Sequence, residues 1–206
     1  MKRSCSSSSS SELPKPLPKR PKARSGPLYL YSQLCQLMDT DILADAEDSN
    51  ITKWTVGIST DMLKKQGLGK LAAQLVQWSK ITQKRPVITL EILFPMSYPD
   101  DVPFVRMLRP RFLYRTGHVT IGGSICTEML TPHGWRPMTV QALVLSICEI
   151  LRDGQAAVQI HPDMHCSTPM IDYSEQEARE AFKRVAQHHG WDTAKSKGKK
   201  KGSASN

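Results

Sequence analysis

The residue best suited to chemistry is Cys126, which follows a glycine pair in Gly122-Gly123-Ser124-Ile125-Cys126. Paired glycines let a backbone turn sharply or approach another segment closely, so the thiol is expected on irregular structure and not within a helix. Deprotonated, it is a strong nucleophile. His118 and His133 lie on either side, and either could serve as the base of a cysteine hydrolase. No residue is evident to orient them, which weighs against that reading. His161, His165 and Cys166 are also metal-ligand types, but their spacing lacks the paired Cys/His pattern of structural zinc. No metal and no cofactor are expected.

A reactive loop needs a scaffold, and the chain predicts one. Leu30, Leu34, Leu37 and Met38 recur at roughly helical intervals in 28–38. Ile42–Ala46 and a second run with Trp54, Val56 and Ile58 read as paired strands joined by Glu47-Asp48-Ser49-Asn50. Residues 61–82, with Leu71, Leu75 and Trp78, read as one inserted short helix. Val87–Phe94 alternates Ile88, Leu90, Ile92 and Phe94 against Thr89 and Glu91, as a central strand would. Prolines 95, 99 and 103 then end the pairing, and Phe104–Leu108 makes a shorter fourth strand.

After Cys126 the pattern is helical. Thr139 is an acceptable N-cap for a helix burying Val140, Leu143, Val144, Ile147, Ile150 and Leu151, with Cys148 as core. Ser174 and Glu177 form a capping box for a last helix, with Ala178, Ala181, Phe182 and Val185 inward and His188-His189-Gly190 at its end. The expected fold is α+β, a four-stranded antiparallel meander flanked by helices.

The 206 residues carry a formal charge of +9, which invites a nucleic-acid partner, but its distribution argues otherwise. Residues 1–27 hold +6 and residues 192–206 hold +4, leaving −1 for 28–191. The basicity belongs to Ser-, Pro- and Lys-rich tails whose composition predicts disorder. Pro18–Arg24 reads either as a nuclear-localisation patch or as a solvated tail. No apolar run is long enough to span a membrane, and no secretory h-region is present. Five scattered cysteines make no disulfide framework, so a reducing setting, cytosol or nucleus, is expected.

Four segments, in order, resemble the ubiquitin-conjugating enzymes. Phe94-Pro95-x-x-Tyr98-Pro99-x-x-x-Pro103 is similar to the family's proline loop, and Gly123-Ser124-Ile125-Cys126 to its active-site segment. Trp135-x-Pro137 and the Val144–Cys148 helix follow where the family places them. Pro103–Arg106, Gly122-Gly123, Gly134-Trp135 and Gly190-Trp191 resemble the Q-type branch, in its short Q-like form, which lacks the usual His-Pro-Asn triplet. The resemblance implies that Cys126 takes ubiquitin as a thioester from an activating enzyme, which consumes the ATP. It then passes the acyl group to a substrate lysine or a ligase cysteine. A thioester suits this because it keeps the carbonyl activated without a cofactor.

Three departures bear on that expectation. Eight residues before the cysteine, where the family carries an oxyanion-stabilising Asn, stands His118, whose N–H is a candidate replacement. Where the family carries an acidic residue near the incoming lysine stands Val158, with Asp153 too early and Asp163 too late. The partner-binding loops, identified by resemblance as Pro99, Asp100, Arg136 and Pro137, carry an acid after Tyr-Pro and Arg-Pro-Met for Ser-Pro-Ala. An inactive binding module of the same fold is the alternative. The retained Cys126 argues against it.

Overall fold

The computed structural model describes residues 26–165, 168 and 170–191. Both basic tails and Cys166 therefore lie outside the described residues, apart from Gly26 and Pro27, which open the first helix instead of ending a tail. Proline is tolerated in a first helical turn because its missing N–H has no intrahelical partner there.

Helix α1 (Gly26–Leu37) leads into strands β1 (Ile42–Glu47), β2 (Asn50–Ser59), β3 (Val87–Leu93) and β4 (Phe104–Arg109). They pair antiparallel in the order β1-β2-β3-β4, the expected meander. Register places Ala44 opposite Val56, Val56 opposite Leu90 and Leu90 opposite Met107, so one face is apolar throughout. Trp54, Val56, Ile58, Ile88, Leu90, Ile92 and Met107 on that face are all fully buried. Burial of side chains this size stabilises by about 1.5–3 kcal/mol each, before ordering costs. Met38 departs from its expected inward place, being 81% exposed just past the end of α1.

The stretch expected as one inserted helix is two, α2 (Thr60–Lys65) and α3 (Gly69–Thr82). Ser59 ends β2 and caps α2 by accepting from the Met62 N–H, and Gly67 at φ +77° breaks the helix before α3. Both helices are core: Leu63, Leu71, Leu75 and Trp78 are buried. Helix α3 also holds the segment behind the cysteine loop, since Gln74 Oε1 accepts from the Val158 N–H at 3.0 Å. The insertion is thus a buttress, with its apolar face packed inward.

Helix α4 (Val140–Asp153) begins at its Thr139 cap and buries Leu143, Val144, Ile147, Cys148 and Leu151. Burial pushes the Cys148 thiol up to about 11, as suits a core cysteine. Helix α5 (Glu175–His189) carries the expected capping box and ends on Gly190 in the left-handed conformation. Its Ala178 and Ala181 are buried, while Phe182 and Val185 are only half-buried. Among the described residues, no helix is long and apolar enough to cross a membrane.

Beneath α5 lies a buried ion pair. Arg106 Nε donates to Glu91 Oε1 at 2.7 Å, and Arg106 Nη1 donates to the Tyr173 carbonyl at 2.9 Å. The Tyr173 N–H in turn donates to the Leu108 carbonyl. These bonds tie the entry to α5 onto β4, which fixes where the far end of the helix falls.

Candidate active site

The cysteine loop hangs from the free edge of β4. Met107 N–H donates to the Gly123 carbonyl at 2.8 Å, and Arg106 bridges to Ser124. The loop then closes as a narrow hairpin in which Val119 faces Ile125 and the Cys126 N–H donates to the His118 carbonyl at 2.7 Å. Thr120 and Ser124 hydroxyls lock it at 2.8 Å. Both glycines at its tip are needed. Gly123 lies at φ +86° with its α-carbon against the Tyr173 ring, and any Cβ on Gly122 would collide with the Glu177 carbonyl of α5. The loop is therefore pressed against α5, and the pair serves close approach as well as turning.

Cys126 lines a pocket of about 440 Å³ together with His118, Val119, Ile121, Val185 and His189, among others. Its Sγ lies 3.8 Å from His189 Nε2 in the last turn of α5, within sulfur hydrogen-bonding range. The His189 ring stacks on Trp191 at 4.7 Å and 16°, which orients the imidazole. Partial burial holds the Cys126 thiol above the ordinary cysteine range, so at neutral pH it rests protonated.

His118 is brought to the same pocket, but its direct bond to Cys126 runs through the backbone carbonyl. Its residue sits at φ +54°, and its ring lies over Gly154, where an added Cβ would meet His118 Cδ2 at 2.7 Å. The amides near the sulfur are committed: Cys126 N–H to His118 O, and Thr127 N–H to Ile125 O at 3.1 Å. Val158 is core, bridged to Phe112 and 3% exposed. Asp153 points to Arg152 at 3.6 Å, and neither it nor Asp163 lines the Cys126 pocket. His133 lies outside that pocket too, with its carbonyl accepting from Arg136. His165 packs on Tyr114 at 4.0 Å.

The four residues expected to meet partners fall on two loops that are bonded together. Trp135 Nε1 donates to the Pro99 carbonyl, and Tyr98 OH donates to the Met138 carbonyl, each at 2.8 Å. Asp100, Arg136 and Pro137 are exposed on this shared platform, with Pro99 half-buried. His189 was not among the expected site residues. It is 63 positions from Cys126, and its place at a helix C-terminus already accounts for its type.

No family model matches the chain. A solved ubiquitin-conjugating enzyme E2 from Plasmodium falciparum aligns at 21% identity and TM-score 0.44, covering 68% of this chain and 94% of that one. A Q-like ubiquitin-conjugating enzyme protein of Drosophila melanogaster is 33% identical over 112 residues, which is 52% of this chain and 34% of that relative. This chain therefore spans about a third of the fly protein's length. The mouse and human Q-like ubiquitin-conjugating enzyme proteins are each 28% identical over 165 residues, covering 78% of this chain and 92% of the relative. Over most of its length the chain is therefore similar to Q-like ubiquitin-conjugating enzyme proteins. Its four-stranded antiparallel sheet with flanking helices is the α+β meander that the sequence predicts.

Proposed function

We propose that this protein is an active ubiquitin-conjugating enzyme of the Q-like type that carries ubiquitin as a thioester on Cys126. The carrying observation is the Cys126 Sγ–His189 Nε2 approach of 3.8 Å in a pocket open to an acyl donor. A thiol made less acidic by burial needs a local proton acceptor, and His189 Nε2 is within reach. In charging, the Cys126 sulfur attacks the carbonyl carbon of the ubiquitin thioester held by the activating enzyme. Its proton passes to His189 Nε2, and the activating enzyme's cysteine departs as a thiolate and is reprotonated.

In the transfer step, a substrate lysine or ligase cysteine attacks the same carbon, the C–S bond to Cys126 breaks, and the leaving thiolate takes a proton. Charge builds on the carbonyl oxygen meanwhile. The amides of residues 126 and 127 already donate elsewhere, and His118 N–H is assigned the role of donor to that oxygen. Its loss would cost about 10²–10³ in transfer rate, the usual worth of one oxyanion donor. ATP is spent by the activating enzyme, and the chemistry here calls for no cofactor. The platform of Pro99, Asp100, Arg136 and Pro137 is assigned to the activating enzyme and ligase. A reducing compartment, cytosol or nucleus, would keep Cys126 available.

A non-catalytic module is disfavoured by the retained, half-exposed thiol facing a histidine. The deciding experiment mixes the protein with activating enzyme, ATP and either ubiquitin or a related modifier. A thiol-sensitive adduct with ubiquitin, absent in Cys126→Ala, is the expected result; adducts with another modifier only would reassign the cargo, and none at all would favour the module.

A further inference from the structure

Two arginines line the Cys126 pocket. Arg115 enters from the loop before the cysteine and Arg184 from α5, and both line the pocket with His118 and His189. Among the described residues, no carboxylate lines the pocket. Glu128, two residues after Cys126, is exposed and outside the lining, Asp153 pairs with Arg152, and Glu180 lies 4.0 Å from Arg184 Nη1 along the same helix. Arg184 keeps 63% of its side chain in solvent even so. Arg115 is exposed, rests near the Tyr114 ring at 5.3 Å and is held at φ +60°, with no ion-pair partner among the described residues.

Arg115 and Arg184 share the pocket lining with Val119, Ile121, Ala181 and Val185, beside the sulfur that would carry the acyl group. An amine gains positive charge as it attacks, and cations beside it oppose that step. Carboxylates next to the acceptor would offset the repulsion and pair with the arginine forks. We propose that the pocket selects acceptor segments bearing Asp or Glu within a few residues of the nucleophile, with Arg115 and Arg184 as the recognition pair. The proposal rests on Cys126 being the acyl carrier.

The test loads the full chain with ubiquitin, removes ATP, and follows discharge to two peptides that share one lysine but carry either Glu or Gln flanks. Each rate is divided by that peptide's rate with a simple alkyl thioester, which removes intrinsic nucleophilicity. The Glu peptide should discharge the protein about tenfold faster at low ionic strength, with the ratio falling toward one as salt screens exposed pairs. In the double variant Arg115→Glu/Arg184→Glu the ratio should invert. Equal wild-type rates, or a ratio untouched by the double variant, would overturn the selectivity while leaving the carrier role standing. Failure to load at all would overturn both.

Discussion

Replacing His189 by Gln keeps a polar group beside the sulfur but removes a base that can take its proton at neutral pH. An ordinary thiol at 9.0 is about 1% thiolate at pH 7, and Cys126, raised by burial, holds less. Attack by a preformed thiolate would therefore run at under about one-hundredth of its ceiling. General-base help is usually worth about 10²–10⁴. Since high pH supplies the thiolate directly, we expect the low end, roughly a 10- to 100-fold loss of charging rate at pH 7. The direction with pH follows from the same reasoning. The variant's rate should climb steeply through the thiol's range, while the wild type climbs less, and the two should converge at high pH. Single-turnover charging from a preloaded activating enzyme, quenched and resolved without reductant, reads this directly. Superimposable pH profiles would refute the base assignment and leave the 3.8 Å approach a packing contact.

Three other outcomes follow from packing and charge. Gly154→Ala places a methyl 2.7 Å from His118 Cδ2 and 2.8 Å from backbone atoms of Gly117, so thermal unfolding should show a loss of about 1–3 kcal/mol and loaded protein should discharge more slowly. Glu91→Gln leaves Arg106, 7% exposed at its side chain, without its counter-charge; urea titration should show a loss of about 3–5 kcal/mol, with Glu91→Met/Arg106→Leu less costly than either single change. Burial alone would raise the Asp172 carboxyl, but hydrogen bonds from Lys84 and Arg109 outweigh it and hold it below 3.8. Its contribution is thus present above the unfolded carboxylate range and lost as pH falls through the lower folded value, so Asp172→Asn should flatten the acid limb of urea midpoints measured from about pH 5 to 2.

How far the chain announces this structure depends on whether a feature is local. The strands are readable because Ile88, Leu90 and Ile92 alternate with Thr89 and Glu91 and the sheet buries one face. Thr139 and the Ser174/Glu177 box mark the helix starts for a similar reason, a cap needing only its own first turn. The split of 61–82 is harder. Six-residue α2 offers too little periodicity, and the break depends on Gly67 adopting a positive φ. At the site, the glycine pair points to close approach, but nothing local names Tyr173 and Glu177 as the groups approached. His189 reaches Cys126 only because Arg106 anchors the start of α5 and fifteen helical residues span the distance. The left-handed backbone at His118, which turns its carbonyl toward the Cys126 amide, likewise has no local signature in its own residue type.

The most direct test of Cys126 as acyl carrier is the intact mass of Cys126→Ser after incubation with activating enzyme, ubiquitin and ATP. Serine would form an oxygen ester in place of the thioester, and esters resist thiols. One added ubiquitin that survives reductant and is released by mild alkali is expected on this variant, with the wild-type adduct lost to reductant and none on Cys126→Ala. An adduct on Cys126→Ala of the same yield and stability, or no adduct on any of the three proteins, would contradict the carrier role.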